Sequence, residues 1–101
     1  MGIRIWLDDV RPMPEGWYDI WVKTAQEAYQ YILSGKVNRI SFDHDLGDTS
    51  FDGSWLANQI EALAAEGAIP PIHWEVHSAN PVGRRYIDNT MKRALRFWGL
   101  T

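Results

Sequence analysis

Three short runs of alternating apolar residues each break off in ionisable or hydroxyl side chains. Ile3, Ile5 and Leu7 lead to Asp8-Asp9. Ile40 and Phe42, preceded by Val37, lead to Asp43-His44-Asp45, with the alternation carried by Ile40 and Phe42. Ile72, Trp74 and Val76 lead to His77-Ser78. Alternation with period two is the mark of a strand with one buried face. Open parallel sheets bind their ligands just outside the carboxyl ends of the strands. The pattern therefore predicts that three segments far apart in the chain meet at one acidic rim.

The stretches between these runs supply the other elements. Residues 9–18 contain Pro12, Pro14 and Gly16, which favour a loop over a helix. Asp19 to Lys23 alternate again, with Ile20 and Val22 on one side. Thr24-Ala-Gln-Glu27 is a capping box opening a helix, whose apolar stripe is Ala25, Ala28, Tyr29, Ile32 and Leu33 and whose stop is Gly35. A polar loop over 47–53 precedes a second helix from about Ser54 to Glu66. Asn80-Pro81 has the form of an N-cap and first-turn proline for a last helix over about 81–98.

The order β-β-α-β-α-β-α implies parallel strands joined by right-handed crossovers. Strand parity gathers Ile3, Ile5, Leu7, Ile40, Phe42, Ile72, Trp74 and Val76 on one face, and Arg4, Trp6, Ser41, His73 and Glu75 on the other. A sheet buried on both faces would be apolar throughout its strands. The expectation is thus a reduced α/β sheet with two helices on one face. Trp6, Trp17, Trp21, the terminal helix or a partner chain, a homodimer included, would shield the partly polar second face. His73 and Glu75 are expected to pair with Arg4.

Composition narrows the function. A chain of 101 residues makes one domain. It has no cysteine, which excludes disulfides and thiolate metal sites. No run reaches membrane-spanning length, and Met1-Gly2-Ile3-Arg4 leads into a strand rather than a signal peptide, so a soluble cytoplasmic protein is expected. A net charge of −3 argues against duplex DNA as a partner.

Alternation places Asp8, Asp43 and His77 on the same side of the sheet. With strands about 5 Å apart, Asp8, Asp9, Asp43 and Asp45 are candidate oxygen ligands for Mg²⁺ or Mn²⁺. Clustered carboxylates repel, and either a metal or Arg11 would compensate them. The plainer alternative is that Asp8 and Asp9 cap a turn and Asp45 opens a loop. His44 and His77 suit acid–base work, since imidazole titrates near neutrality, or transition-metal ligation, or simple structural hydrogen bonding. Ser78 and Asn80 precede a helix N-terminus, a natural anion site, with Arg84 and Arg85 one turn in as phosphate contacts or as a solvated face. This combination suits phosphoester chemistry.

The set Leu7-Asp8-Asp9 with Arg11-Pro12, Asp43-His44-Asp45-Leu46-Gly47 and His77-Ser78-Ala79-Asn80-Pro81 resembles the cyclic-phosphate processing receiver-like domain, a relative of two-component receivers. The resemblance covers nearly the whole chain. It implies a flavodoxin-like sheet of about four strands in the order 2-1-3-4, with the acidic pair at Asp8 and Asp9 and Asp43 at the phosphoacceptor-like position. It further implies processing of cyclic phosphates on RNA ends or nucleotides. Compared with ordinary receivers, a loop replaces the first helix and the fifth strand with its essential lysine is missing; Lys92 is not equivalent. That departure disfavours phosphorelay signalling, and His44 and His77 favour hydrolysis, with Asp43, Ser78 and the two histidines as catalytic candidates and Arg11, Asn80 and Arg84 as substrate contacts. The competing expectation is a non-catalytic protein- or nucleotide-binding module, with a phage or mobile-element source suggested by its compact size.

Overall fold

The computed structural model describes residues 2–47 and 50–100. The elements run β1 (Ile3–Leu7), β2 (Ile20–Val22), α1 (Ala25–Leu33), β3 (Val37–Phe42), α2 (Gly53–Ala65), β4 (His73–Val76) and α3 (Pro81–Phe97). All strand pairs are parallel, in the order β2-β1-β3-β4. Among the described residues there is no helix between β1 and β2 and no fifth strand. No described helix is long and apolar enough to cross a membrane.

Each helix begins where its sequence supplies an acceptor for an orphan N–H. The Thr24 side chain accepts from the Glu27 amide at the start of α1, and the Asn80 side chain accepts from the Gly83 amide at the start of α3. For α2 the cap is Asp52, which accepts from the Trp55 amide, so this helix starts at Gly53, one residue earlier than expected. The preceding polar loop includes Asp48 and Thr49, which lie outside the described residues.

The apolar strand face follows the alternation. Ile5, Leu7, Val22, Ile40 and Phe42 are fully buried beneath Ala28 and Ile32 of α1, Leu56 and Ile60 of α2, and Ile87 and Met91 of α3. All three helices therefore share one side of the sheet, and the terminal helix does not shield the second face. Handedness explains this. The crossovers from β2 to β3 and from β3 to β4 run in the same direction across the sheet, which puts α1 and α2 on the same face, and the stripe of α3 docks beside them. The connection from β1 to β2 runs the opposite way and falls on the other face.

That connection, residues 8–19, is the cover of the second face. The Trp6 indole N–H donates to the Arg11 carbonyl at 2.9 Å, and the Trp21 indole N–H donates to the Asp8 carbonyl at 2.7 Å. The Tyr18 hydroxyl reaches Glu75, and its ring stands tilted against Trp6. Arg4 does not pair with His73 or Glu75. It holds Asp19 through two side-chain bonds of 3.3 and 3.1 Å, because the loop brings that acid directly alongside β1. Glu75 instead has Arg39, at 3.9 Å.

Candidate active site

The register of the sheet builds the rim. Leu7 pairs with Val22 and with Phe42, and Phe42 pairs with Val76. The residues one step further, Asp8, Asp43 and His77, therefore stand in a row on β1, β3 and β4. The ladder continues through them, since the Asp43 amide donates to the Leu7 carbonyl at 2.9 Å and the His77 amide to the Phe42 carbonyl at 3.0 Å. One carboxylate oxygen from each of Asp8, Asp9 and Asp43 lies within 4.8 Å of the others.

Asp8 is the organising member. Its Oδ1 accepts the amides of Val10 (2.8 Å) and Arg11 (2.7 Å), closing the turn after β1. Its Oδ2 stands 2.9 Å from His77 Nε2. Turn capping and membership of the acidic cluster thus coexist in one side chain. Burial would raise the Asp8 carboxyl, but the two amides and then His77 outweigh it and hold the group below the usual carboxylate range. Asp43 is shifted the other way. Burial and then the Asp8 charge push it up, only partly offset by the Ser78 hydroxyl that bonds it.

His77 is clamped on all sides. Trp6 stacks on its ring with centroids 3.8 Å apart, and Ser41 Oγ lies 2.7 Å from Nδ1. A neutral ring accepting from the Ser41 hydroxyl at Nδ1 and donating from Nε2 to Asp8 satisfies both contacts. Burial, more than any charge, pulls this imidazole below its ordinary value; Asp8 and Asp43 oppose the shift. Arg11 donates from Nη1 to the His77 carbonyl at 3.0 Å, which places its guanidinium at the rim.

The remaining candidates lie elsewhere. His44 follows Asp43 by one residue and so points to the helix side. Its Nδ1 is 2.8 Å from Asp45 and its Nε2 is 3.4 Å from Asp52, the cap of α2. Asn80, the cap of α3, reaches both His44 and Asp45, at 3.4 and 3.5 Å. Asp45 is therefore not with the three rim acids. Arg84 and Arg85 are exposed and line a groove on the outer edge of β4 with Trp74 and Asp88. Lys92 is bound to Asp88 at 2.9 Å on the surface of α3.

Two glycines make the packing around His44 feasible. A Cβ at Gly83 would overlap the His44 ring, and one at Gly53 would overlap the Asp43 carbonyl. Sequence reasoning passed over both, along with Asp52 as a cap and Ser41 as the partner of His77. The position of Ser41, two residues before Asp43 on the same strand face, was the available signal.

A parallel 2-1-3-4 sheet with two acids after its first strand and a third after its third strand defines a receiver-like α/β domain. The model of the cyclic-phosphate processing receiver domain family matches residues 3–93, and the chain belongs to that family. No curated protein and no solved structure shows significant similarity to it.

The rim acids suit a hard divalent cation. They offer three oxygens and no sulfur, and burial together with the Asp8 charge raises Asp43. Carboxylate oxygens of this kind would serve Mg²⁺ or Mn²⁺.

Proposed function

We propose that the chain is a metal-dependent phosphoesterase that opens cyclic phosphates of RNA ends or nucleotides. The observation that carries this reading is the convergence of Asp8, Asp9 and Asp43 within 4.8 Å, with His77 touching Asp8. Asp8, Asp9 and Asp43 would hold the ion, which when bound would neutralise phosphate charge and polarise the phosphoryl group. Ser78 and the backbone fix Asp43, and the two turn amides fix Asp8, so the ligand oxygens are preorganised. Arg11, exposed at the rim, contacts a phosphate oxygen.

The reaction forms a bond from water oxygen to phosphorus and breaks one ring P–O bond, and a proton from the water ends on the leaving oxygen. Of the two candidate histidines only His77 borders the rim acids, so it carries this proton; with Nε2–H given to Asp8, its basic nitrogen is Nδ1. His44, Asp45 and Asn80 tie the Asp43 loop to the starts of α2 and α3 and act on the reaction through Asp43.

The test is incubation with 2′,3′-cyclic nucleotides and cyclic di- and oligonucleotides, with Mg²⁺ or Mn²⁺. Metal-dependent turnover of at least one substrate, lost on chelation, is expected. No turnover across the panel overturns the reading.

A further inference from the structure

The second face of the sheet holds a cleft of about 690 Å³ beneath the 8–19 loop, within the range of small-molecule sites. Its floor is Trp6, Ser41 and Arg39, its wall is Pro14, Trp17 and Tyr18 of the loop, and His77 lines one end. His77 is thus both a side of this cleft and a neighbour of Asp8, so a single side chain adjoins the cleft and the acidic rim. From the row of Arg39 to the row of Asp43 the floor runs four strand residues, about 13 Å.

We infer that this cleft is a nucleobase subsite, with Trp17 as its stacking platform; the inference rests on the phosphoester reading of the rim. Trp17 is 71 % exposed, yet the chain that follows it is pinned by Tyr18 on Glu75 and by Asp19 on Arg4. An exposed indole on an anchored segment is a preformed flat surface, and every base offers a π-face to such a surface. Arg39 adds donors for base carbonyls and ring nitrogens, since its contact to Glu75 is long at 3.9 Å and its side chain is 42 % exposed. Arg4 is committed to Asp19 and serves the loop rather than the ligand. A ligand spanning this cleft carries its anionic end at the rim and its ring system over the aromatic floor, which is the layout of a nucleotide.

Calorimetry tests the subsite with products that the proposed reaction does not consume. 3′-AMP and 3′-UMP are compared with ribose 5-phosphate and inorganic phosphate, all with Mg²⁺. The wild type binds both nucleotides more tightly than ribose 5-phosphate. Trp17→Ala weakens nucleotide binding by about ten-fold, as expected for one lost base stack, and leaves ribose 5-phosphate unchanged. Trp17→Phe restores most of the loss. Circular dichroism verifies that each variant is folded. Equal nucleotide affinity in wild type and Trp17→Ala overturns the subsite, and so does a Trp17-dependent change in sedimentation mass without any change in nucleotide affinity, which would make this face a protein contact. Trp17-dependent nucleotide binding without turnover of any cyclic phosphate retires the hydrolytic reading and keeps the subsite. Turnover of cyclic nucleotides that ignores Trp17 does the reverse.

Discussion

His44 and His77 occupy the same kind of position, just past the end of a strand, and they do opposite things. His77 falls in phase with the polar face of β4, stacks on Trp6 and meets Asp8. His44 is one residue out of phase with Asp43 and turns to the helix side, among Asp45, Asp52 and Asn80. The same imidazole is therefore a member of the acidic rim in one case and a fastening between two helix N-termini in the other. What separates them is parity, not chemistry. A histidine at a strand end acquires its role from the side of the sheet it faces.

The strongest way to sharpen that contrast is through the acid that lies between them. Asp43→Asn is expected to lower turnover by about 10²–10³-fold, the scale of a lost charge-stabilising group. The same variant should melt at a higher temperature at neutral pH without metal, because burial and Asp8 both disfavour the Asp43 charge. Kinetics and thermal melts on one preparation check both halves, and a variant that loses both activity and stability contradicts the second.

Next come the two histidines themselves. His77→Asn keeps a hydrogen-bond donor but cannot titrate. It should reduce turnover by about 10²-fold and remove the acid limb of the pH–rate profile. His44→Asn should leave that limb in place and lower unfolding stability by about 1 kcal/mol, the net worth of a typical hydrogen bond. If the pH–rate profile of His44→Asn loses its limb instead, the assignment of roles is reversed.

Gly83→Ala probes the fastening from the other side. A methyl at this position overlaps the His44 ring. The expected cost is about 1–3 kcal/mol, as for overpacking in a tight site, read from denaturant unfolding, and binding of nucleotide to the opposite face should persist.

The smallest effect is the pH dependence of folding. The folded value of His77 is depressed, so the unfolded chain binds more protons just below pH 6.5. Stability contributed by this group is present above that value and falls as pH drops towards the folded one. Asp8, also depressed, adds a second loss as pH falls below about 3.8. Asp43 is raised and acts in the opposite sense, since stability declines as pH climbs from its unfolded value through its folded one. Thermal melts between pH 4 and 8 on wild type and His77→Asn should differ chiefly in the limb below pH 6.5.

The rim was legible in the sequence because strand parity is a strict rule. Asp8, Asp43 and His77 each follow an inward-facing residue, and the pairing of Leu7 with Phe42 and Phe42 with Val76 needed only to be in register. The helix caps at Thr24 and Asn80 were legible for a similar reason, because they depend on local spacing. The side taken by α3 was not. It depends on where the chain stands after β4 and on the stripe of α2 beside it, neither of which leaves a periodic mark. Arg4 was assigned to strand neighbours, whereas its partner Asp19 arrives by a loop whose path local propensity does not determine. Asp45 follows Asp43 in the same run, but it lies three residues beyond the end of β3, where the alternation no longer holds.

Replacement of a crossover helix by the 8–19 loop divides the molecule into two tiers of permanence. The helical side is locked by a continuous apolar core, so amides of β3 should exchange with solvent only when the whole molecule unfolds. The loop is secured by a handful of anchors, the two indole N–H bonds, Tyr18 on Glu75 and Arg4 on Asp19. Opening of this loop should leave the scaffold beneath assembled, and its amides should lose protection before those of β3. Entry and departure of a ligand then need not disturb the folded body that positions the acids.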